Sequence, residues 1–136
     1  TEMDPAWAWA AGAMVSTPSE LNTFFQAVFD GRLLSQSSID EMKNGAVDAS
    51  SHLGPGTVYG LGLIGTPLSC GGTSWGHGGT IHGYQTYDAV GPDGTAVTVA
   101  VTALPKAIAD QSNPESSAKE KDQRIKNAVD ATLCHK

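Results

Sequence analysis

The stretch Gly91-Pro92-Asp93-Gly94, followed by Val97, Val99 and Val101 alternating with Thr98, Ala100 and Thr102, most constrains the fold of this chain. Glycine and proline around an aspartate specify a tight turn. Apolar residues at a period of two specify a strand with one buried face. Residues 84–90 lead into the turn and the valine run leads out of it, so the two form an antiparallel hairpin.

The stretch just before that hairpin is unusual for a strand. Residues 74–83 should be extended, yet Trp75-Gly76-His77-Gly78-Gly79-Thr80-Ile81-His82-Gly83 carries His77 and four glycines. Glycine weakens a strand interior and needs a compensating reason, either a bulge or the close approach of a ligand or another backbone. An ionisable ring beside bare backbone N–H groups is what acyl-transfer chemistry uses around a developing oxyanion. The plain alternative is a glycine-rich hairpin with a surface histidine.

Helices bracket these strands. Thr17-Pro18-Ser19-Glu20 reads as a capping box with proline at the first helical position. Leu21, Phe24, Phe25, Val28 and Phe29 then define one apolar face, and Gly31 is a stop. A shorter helix is expected over 36–44, with Ser35 as cap, Ile39 and Met42 inward and Gly45 as stop. Residues 45–57 read as a loop containing a solvated His52, and Tyr59, Leu61 and Leu63 alternate with glycines as in a strand. Residues 1–16, with Trp7, Trp9, Met14 and Val15, suggest a strand or an irregular packed segment. A last helix starts at Asn113-Pro114 and runs to about Leu133. Its apolar face is Ala118, Ile125, Ala128, Val129 and Leu133, and the charges between Glu115 and Arg124 form its solvated face. Helices, then strands, then one helix make an α+β pattern with an antiparallel sheet flanked by helices.

A length of 136 residues suits one domain or part of a larger one. The net charge of -6 argues against nucleic acid or an anionic membrane as partner. No apolar run approaches the roughly 20 residues of a membrane span. The two cysteines, Cys70 and Cys134, are too few for a zinc site, even with His135 beside Cys134. One disulfide closing the long loop between them is the favoured reading and would imply an oxidising compartment; two free buried thiols are the alternative. No cofactor or metal is expected.

Two catalytic motifs match by spacing and fail on context. Gly72-Thr73-Ser74-Trp75-Gly76 has the G-x-S-x-G form, but the residues after it cannot start the helix that a nucleophile elbow requires. Ser116-Ser117-Ala118-Lys119 has the S-x-x-K form. It lies on a turn crowded with Glu115, Glu120, Lys121 and Asp122, where a lysine stays solvated, keeps its proton and is a poor base.

A set of blocks in fixed order is more specific than either motif. Ala11-Gly12-Ala13-Met14-Val15-Ser16-Thr17 precedes the amphipathic helix; Gly31-Arg32-Leu33-Leu34-Ser35, Tyr59-Gly60-Leu61-Gly62-Leu63 and Gly76-His77-Gly78-Gly79-Thr80 follow. From about residue 8 onward the chain resembles the C-terminal part of the serine D-alanyl-D-alanine carboxypeptidases and class C β-lactamases, with their esterase relatives. It looks most like the secreted actinobacterial carboxypeptidases, which also place one cysteine before this strand and one at the C-terminus. The resemblance implies that residues 1–136 are a single segment, the C-terminal portion of a larger penicillin-recognising domain.

That family has three active-site motifs. His77-Gly78-Gly79 falls on the third, which is Lys-Thr-Gly or His-x-Gly on the strand walling the site. By resemblance, His77 would supply positive charge or a proton-relay contact beside the nucleophile. Thr80 would lend a backbone N–H to the oxyanion hole, and Gly78 and Gly79 would let substrate lie against the strand. Nothing upstream of His77 matches the first two motifs, Ser-x-x-Lys and Tyr-x-Asn, and the chain begins at Thr1. The expectation is therefore a chain without nucleophile or base, needing the N-terminal half of the enzyme on the same precursor or as a second chain. The implied substrate is a small D-Ala-D-Ala peptide or a β-lactam, and the implied location is extracellular. Position 78 is glycine where many carboxypeptidases have threonine, and no arginine lies between Arg32 and Arg124, which leaves room for an esterase, amidase or lactamase. A non-catalytic module binding cell-wall peptide is the other reading.

Overall fold

The computed structural model describes residues 8–12 and 14–134, with the backbone alone of 5–7. The expectation for the Trp7 side chain, and His135, fall outside the described residues. The elements run η1 (Pro5–Ala11), α1 (Pro18–Phe29), α2 (Gln36–Asn44), β1 (Val47–Asp48), α3 (Ser50–Leu53), β2 (Val58–Tyr59), β3 (Ile64–Pro67), β4 (Thr73–Ile81), β5 (Tyr84–Val90), β6 (Ala96–Val101) and α4 (Pro114–Cys134). The six strands form one antiparallel sheet in chain order, β1-β2-β3-β4-β5-β6, so every connection within it is local. The architecture is the α+β class expected.

Local chemistry sets the helix starts. Thr17 Oγ1 accepts from the Glu20 N–H, and the Glu20 carboxylate accepts from the Thr17 N–H at 2.9 Å, a complete capping box. Ser35 caps α2 by accepting from the Ser38 N–H. On α1 the buried residues are Phe25, Ala27 and Val28; Phe24, expected on the inner face, is half exposed and meets Phe25 edge-on.

Both α1 and α4 pack against β5 and β6. Ala89 and Val97 from the sheet and Leu68, just after β3, close with Val129 and Leu133 of α4 into the core, joined by Tyr87 and Val99. Ile39 of α2 is the most deeply buried large side chain among the described residues.

Three expectations are corrected. Residues 5–11 form 3-10 turns broken at Trp9 (φ 43°), not a strand. The segment 45–57 contains β1 and α3. The alternation at 59–63 is not one strand: β2 ends at Tyr59, and 60–63 turn the chain into β3, with Gly60 N donating to Leu63 O at 2.8 Å and Gly62 at φ +73°. A Cβ on Gly60 would fall 2.0 Å from the Met42 carbonyl, so this glycine lets the turn sit on the end of α2.

Cys70, in the β3–β4 loop, is disulfide-bonded to Cys134 at the end of α4, with Cα atoms 5.6 Å apart. Beside it, Asp130 of α4 accepts from the Ser69 N–H (2.8 Å) and hydroxyl (2.6 Å). Among the described residues no helix is long and apolar enough to cross a membrane.

Candidate functional site

β4 is the centre of the candidate site, and its hydrogen-bond phase decides what it can offer. Gly91 N donates to Thr95 O at 2.9 Å, so alternate residues Ala89, Tyr87 and Gln85 of β5 bond toward β6. The others, Val90, Asp88, Thr86 and Tyr84, therefore bond toward β4, where they face Trp75, His77, Gly79 and Ile81. Leu68 N donates to Gly72 O at 3.1 Å, which sets the same phase on the β3 side. The backbone groups of Gly78 and Thr80 consequently point away from β5. On that side β3 pairs only with Thr73–Gly76, so from His77 to Ile81 no described strand follows.

The glycines divide by what surrounds them. A Cβ on Gly76 would sit 1.9 Å from the Asp88 carbonyl oxygen, and one on Gly78 2.7 Å from the Thr86 carbonyl oxygen. Both positions are closed by the β5 backbone, the second of the two reasons a strand glycine can have. A Cβ on Gly79 would meet only the Thr86 hydroxyl, at 3.1 Å, and Gly79 is exposed.

His77 is half-buried and both its ring nitrogens are engaged. Nδ1 lies 2.7 Å from Gly78 O, and Nε2 lies 2.8 Å from the Tyr59 hydroxyl. The Gly78 carbonyl is free for the ring because it points to the side without a strand. Tyr59 stands at the end of β2, and its ring meets the imidazole edge-on, centroids 5.8 Å apart. Across the ladder from His77 is Asp88, buried, accepting from the Thr98 hydroxyl at 2.8 Å. Burial pushes its carboxyl above the usual range; hydrogen bonds from Thr98 and Thr86 and the neighbouring His77 oppose that shift.

His77, Gly78, Gly79 and Thr80 thus lie together on one strand end, as the sequence pattern requires. Ser74, the elbow serine, is buried and donates to the Thr66 carbonyl at 3.2 Å. Lys119 is exposed on α4. Tyr59 and Asp88, which the structure places beside His77, were not among the candidates read from the sequence. Tyr59 read only as one step of an alternation, and Asp88 shows its relation to His77 only through the register. A signal for it was available, since counting outward from the two-residue turn His82-Gly83 pairs 77 with 88.

Of the α4 charges, Glu115, Lys119, Glu120 and Arg124 are exposed as expected, and one is corrected. Asp122 is turned inward, accepting from the Tyr87 hydroxyl (2.7 Å) and Gln85 Nε2 (3.2 Å), and it pairs with Lys126 at 2.8 Å. Burial alone would raise the Asp122 carboxyl, but the hydrogen bonds from Lys126 and Tyr87 and the lysine's charge outweigh it and hold the group below its usual range. Burial, first, and then Asp122 push Tyr87 up. A cavity of about 440 Å³ is lined by Tyr59, the His77–Thr80 stretch, Tyr87, Asp122 and Lys126. Among the described residues no group of three or more His, Cys, Asp or Glu side chains could hold a metal ion.

A family model described as Beta-lactamase matches residues 1–123. Solved structures similar to this chain include a D-stereospecific amidohydrolase from Streptomyces sp., with a TM-score of 0.65 and 41% identity, covering 74% of this chain and 29% of its own. A D-amino acid amidase from Ochrobactrum anthropi SV3, complexed with L-phenylalanine amide, has a TM-score of 0.66 and 29% identity, covering 94% of this chain and 36% of its own. The same amidase complexed with D-phenylalanine gives 0.64 and 26%, covering 92% and 40%. The chain spans well under half the length of each of these structures.

Proposed function

The chain belongs to the β-lactamase family, and on that footing we propose that it is the C-terminal portion of a secreted serine hydrolase that cleaves the amide bond of a D-configured residue through an acyl-enzyme. The observation that carries this reading is the open edge of β4. Past Gly76 no described strand covers it, so the backbone of Gly78 and Thr80 is presented next to the Tyr59–His77 pair. A substrate main chain can add there as a short strand, and the Thr80 N–H can donate to the oxyanion. The nucleophilic serine and its lysine come from a Ser-x-x-Lys segment in the N-terminal half of the enzyme, with a Tyr-x-Asn segment, on the same precursor or a second chain. The serine oxygen attacks the amide carbon, the amine leaves with a proton, and water releases the acid and regenerates the serine.

D-amino acid amides are favoured over D-Ala-D-Ala peptides and β-lactams for two reasons. The structures similar to this chain include a D-stereospecific amidohydrolase and a D-amino acid amidase. None of the six strands carries an arginine or lysine to pair with a free substrate carboxylate. Extracellular location is supported by the disulfide.

The test uses the protein joined to its Ser-x-x-Lys half, assayed on D- and L-phenylalanine amide and on a D-Ala-D-Ala peptide. The expected result is faster turnover of the D-amide than of the other two, and roughly a hundredfold loss of kcat/KM in His77→Ala. Equal turnover of both enantiomers, or an unaffected His77→Ala, overturns the proposal. A fluorescent penicillin should leave no covalent adduct on this chain alone.

A further inference from the structure

The two contacts of the His77 ring are unequal in what they permit. Gly78 O can only accept, so the Nδ1 atom 2.7 Å away carries a proton. A neutral ring then has its lone pair on Nε2, and the group facing that lone pair, at 2.8 Å, is the Tyr59 hydroxyl. The hydroxyl donates to it. Edge-on packing of the two rings, 87° between planes, fixes the imidazole about its long axis as well.

We propose that Tyr59 is a positioning residue that holds His77 as the neutral Nδ1–H tautomer, with Nε2 occupied by the tyrosine hydroxyl beside the open edge of β4. A proton arriving at Nε2 requires the Tyr59 hydroxyl to turn from donor to acceptor. The role of the pair in turnover rests on the hydrolase reading above; the tautomer does not, because it follows from the two contacts of the neutral ring.

The titratable groups around the ring are Tyr59 on β2, Asp88 across the ladder on β5 and, two positions back along β4, Lys43 of α2, whose Nζ lies 5.5 Å from the Trp75 ring centroid. Asp88 makes its hydrogen bonds with Thr98 and Thr86 and none with the imidazole, which leaves the tautomer to Gly78 and Tyr59.

The experiment is nitrogen-detected NMR of the full chain with labelled histidine. The wild type is expected to show a protonated Nδ1 and an unprotonated Nε2 in the neutral His77 ring. Tyr59→Phe keeps the edge-on ring contact and removes only the hydroxyl. It is expected to give a mixture of tautomers with an otherwise unchanged amide spectrum. An Nε2–H tautomer in the wild type, or an identical imidazole spectrum in Tyr59→Phe, overturns the proposal. If Tyr59→Phe perturbs the amide spectrum, the wild-type tautomer together with its retention in Asp88→Asn decides: an Nδ1–H form kept in Asp88→Asn supports Tyr59, and its loss there overturns it. In the joined enzyme, Tyr59→Phe is expected to lower kcat roughly tenfold, as for one lost hydrogen bond in the reacting state, with KM unchanged and the pH limb of kcat displaced. A raised KM at constant kcat would overturn the role in turnover while leaving the tautomer standing.

Discussion

At the residue scale, the glycines of β4 separate structure from chemistry. Gly76 is enclosed by the β5 backbone, which cannot move aside as a side chain can. Gly76→Ala should therefore destabilise the chain by about 2–3 kcal/mol, the cost of overpacking against rigid neighbours. Gly79 meets only a rotatable threonine hydroxyl, so Gly79→Ala should change stability by less than about 0.5 kcal/mol while still obstructing a substrate strand. Urea unfolding of both variants, set beside turnover of the joined enzyme, checks the division; equal stability losses would contradict it. The sequence already asked whether the strand glycines answer to a ligand or to another backbone. It could not divide them, because that depends on local backbone geometry within the ladder. His77 and Thr80 are candidates through their motif. Tyr59 is not, because its contact with His77 spans 18 residues and depends on where β2 stops.

At the element scale, strong local chemistry was readable and long-range selection was not. The capping box at Thr17, the Ser35 cap, the 91–94 turn and the Pro114 start all act within a few residues, and each element appears where its signal lies. The split of 59–63 into the end of β2 and a turn is set by the carbonyl of Met42, and β1 and β3 are too short to show a period. The charged neighbours of Asp122 suggest a solvated side chain; tertiary packing turns it inward against Tyr87. Its side chain is 29% exposed, and it holds Lys126, which in turn donates to the Leu53 carbonyl at 3.0 Å. Asp122→Asn should cost about 2 kcal/mol at neutral pH, since it leaves a half-buried ammonium without its counter-charge. The sign of the pH dependence follows from the lowered folded-state pKa. The contribution is full above the unfolded carboxylate value of about 3.9 and is lost as the pH falls through the lower folded value. Wild type and variant should therefore converge in stability at strongly acid pH, as followed by urea unfolding. A gap that stays constant with pH would mean that packing, not charge, holds α4 at this point.

At the scale of the whole molecule, β5 is gripped from α4, and β5 is the partner that places β4. Tyr87 and Gln85, which reach Asp122, stand opposite Gly78 and Thr80 in the ladder. Anything that loosens α4 therefore loosens the strand carrying the candidate site. The Cys70–Cys134 bond ties the far end of α4 to the β3–β4 loop across a separation of 64 residues. Closing a loop of that length stabilises a fold by about 4 kcal/mol in the chain-entropy account. Domains of ordinary stability have about 5–15 kcal/mol in all, so reduction should remove a large share of what holds this chain together. Thermal unfolding with and without reductant should show a lower midpoint and a less protected β4 in the reduced form, the latter seen as faster amide exchange at 77–81. Ser69→Ala should have a smaller effect, because the disulfide still holds the loop beside Asp130 when that hydroxyl contact is gone. If reduction changes the midpoint but leaves exchange at 77–81 unaltered, the coupling from α4 through β5 to the candidate site is refuted, even though the disulfide would still count toward stability.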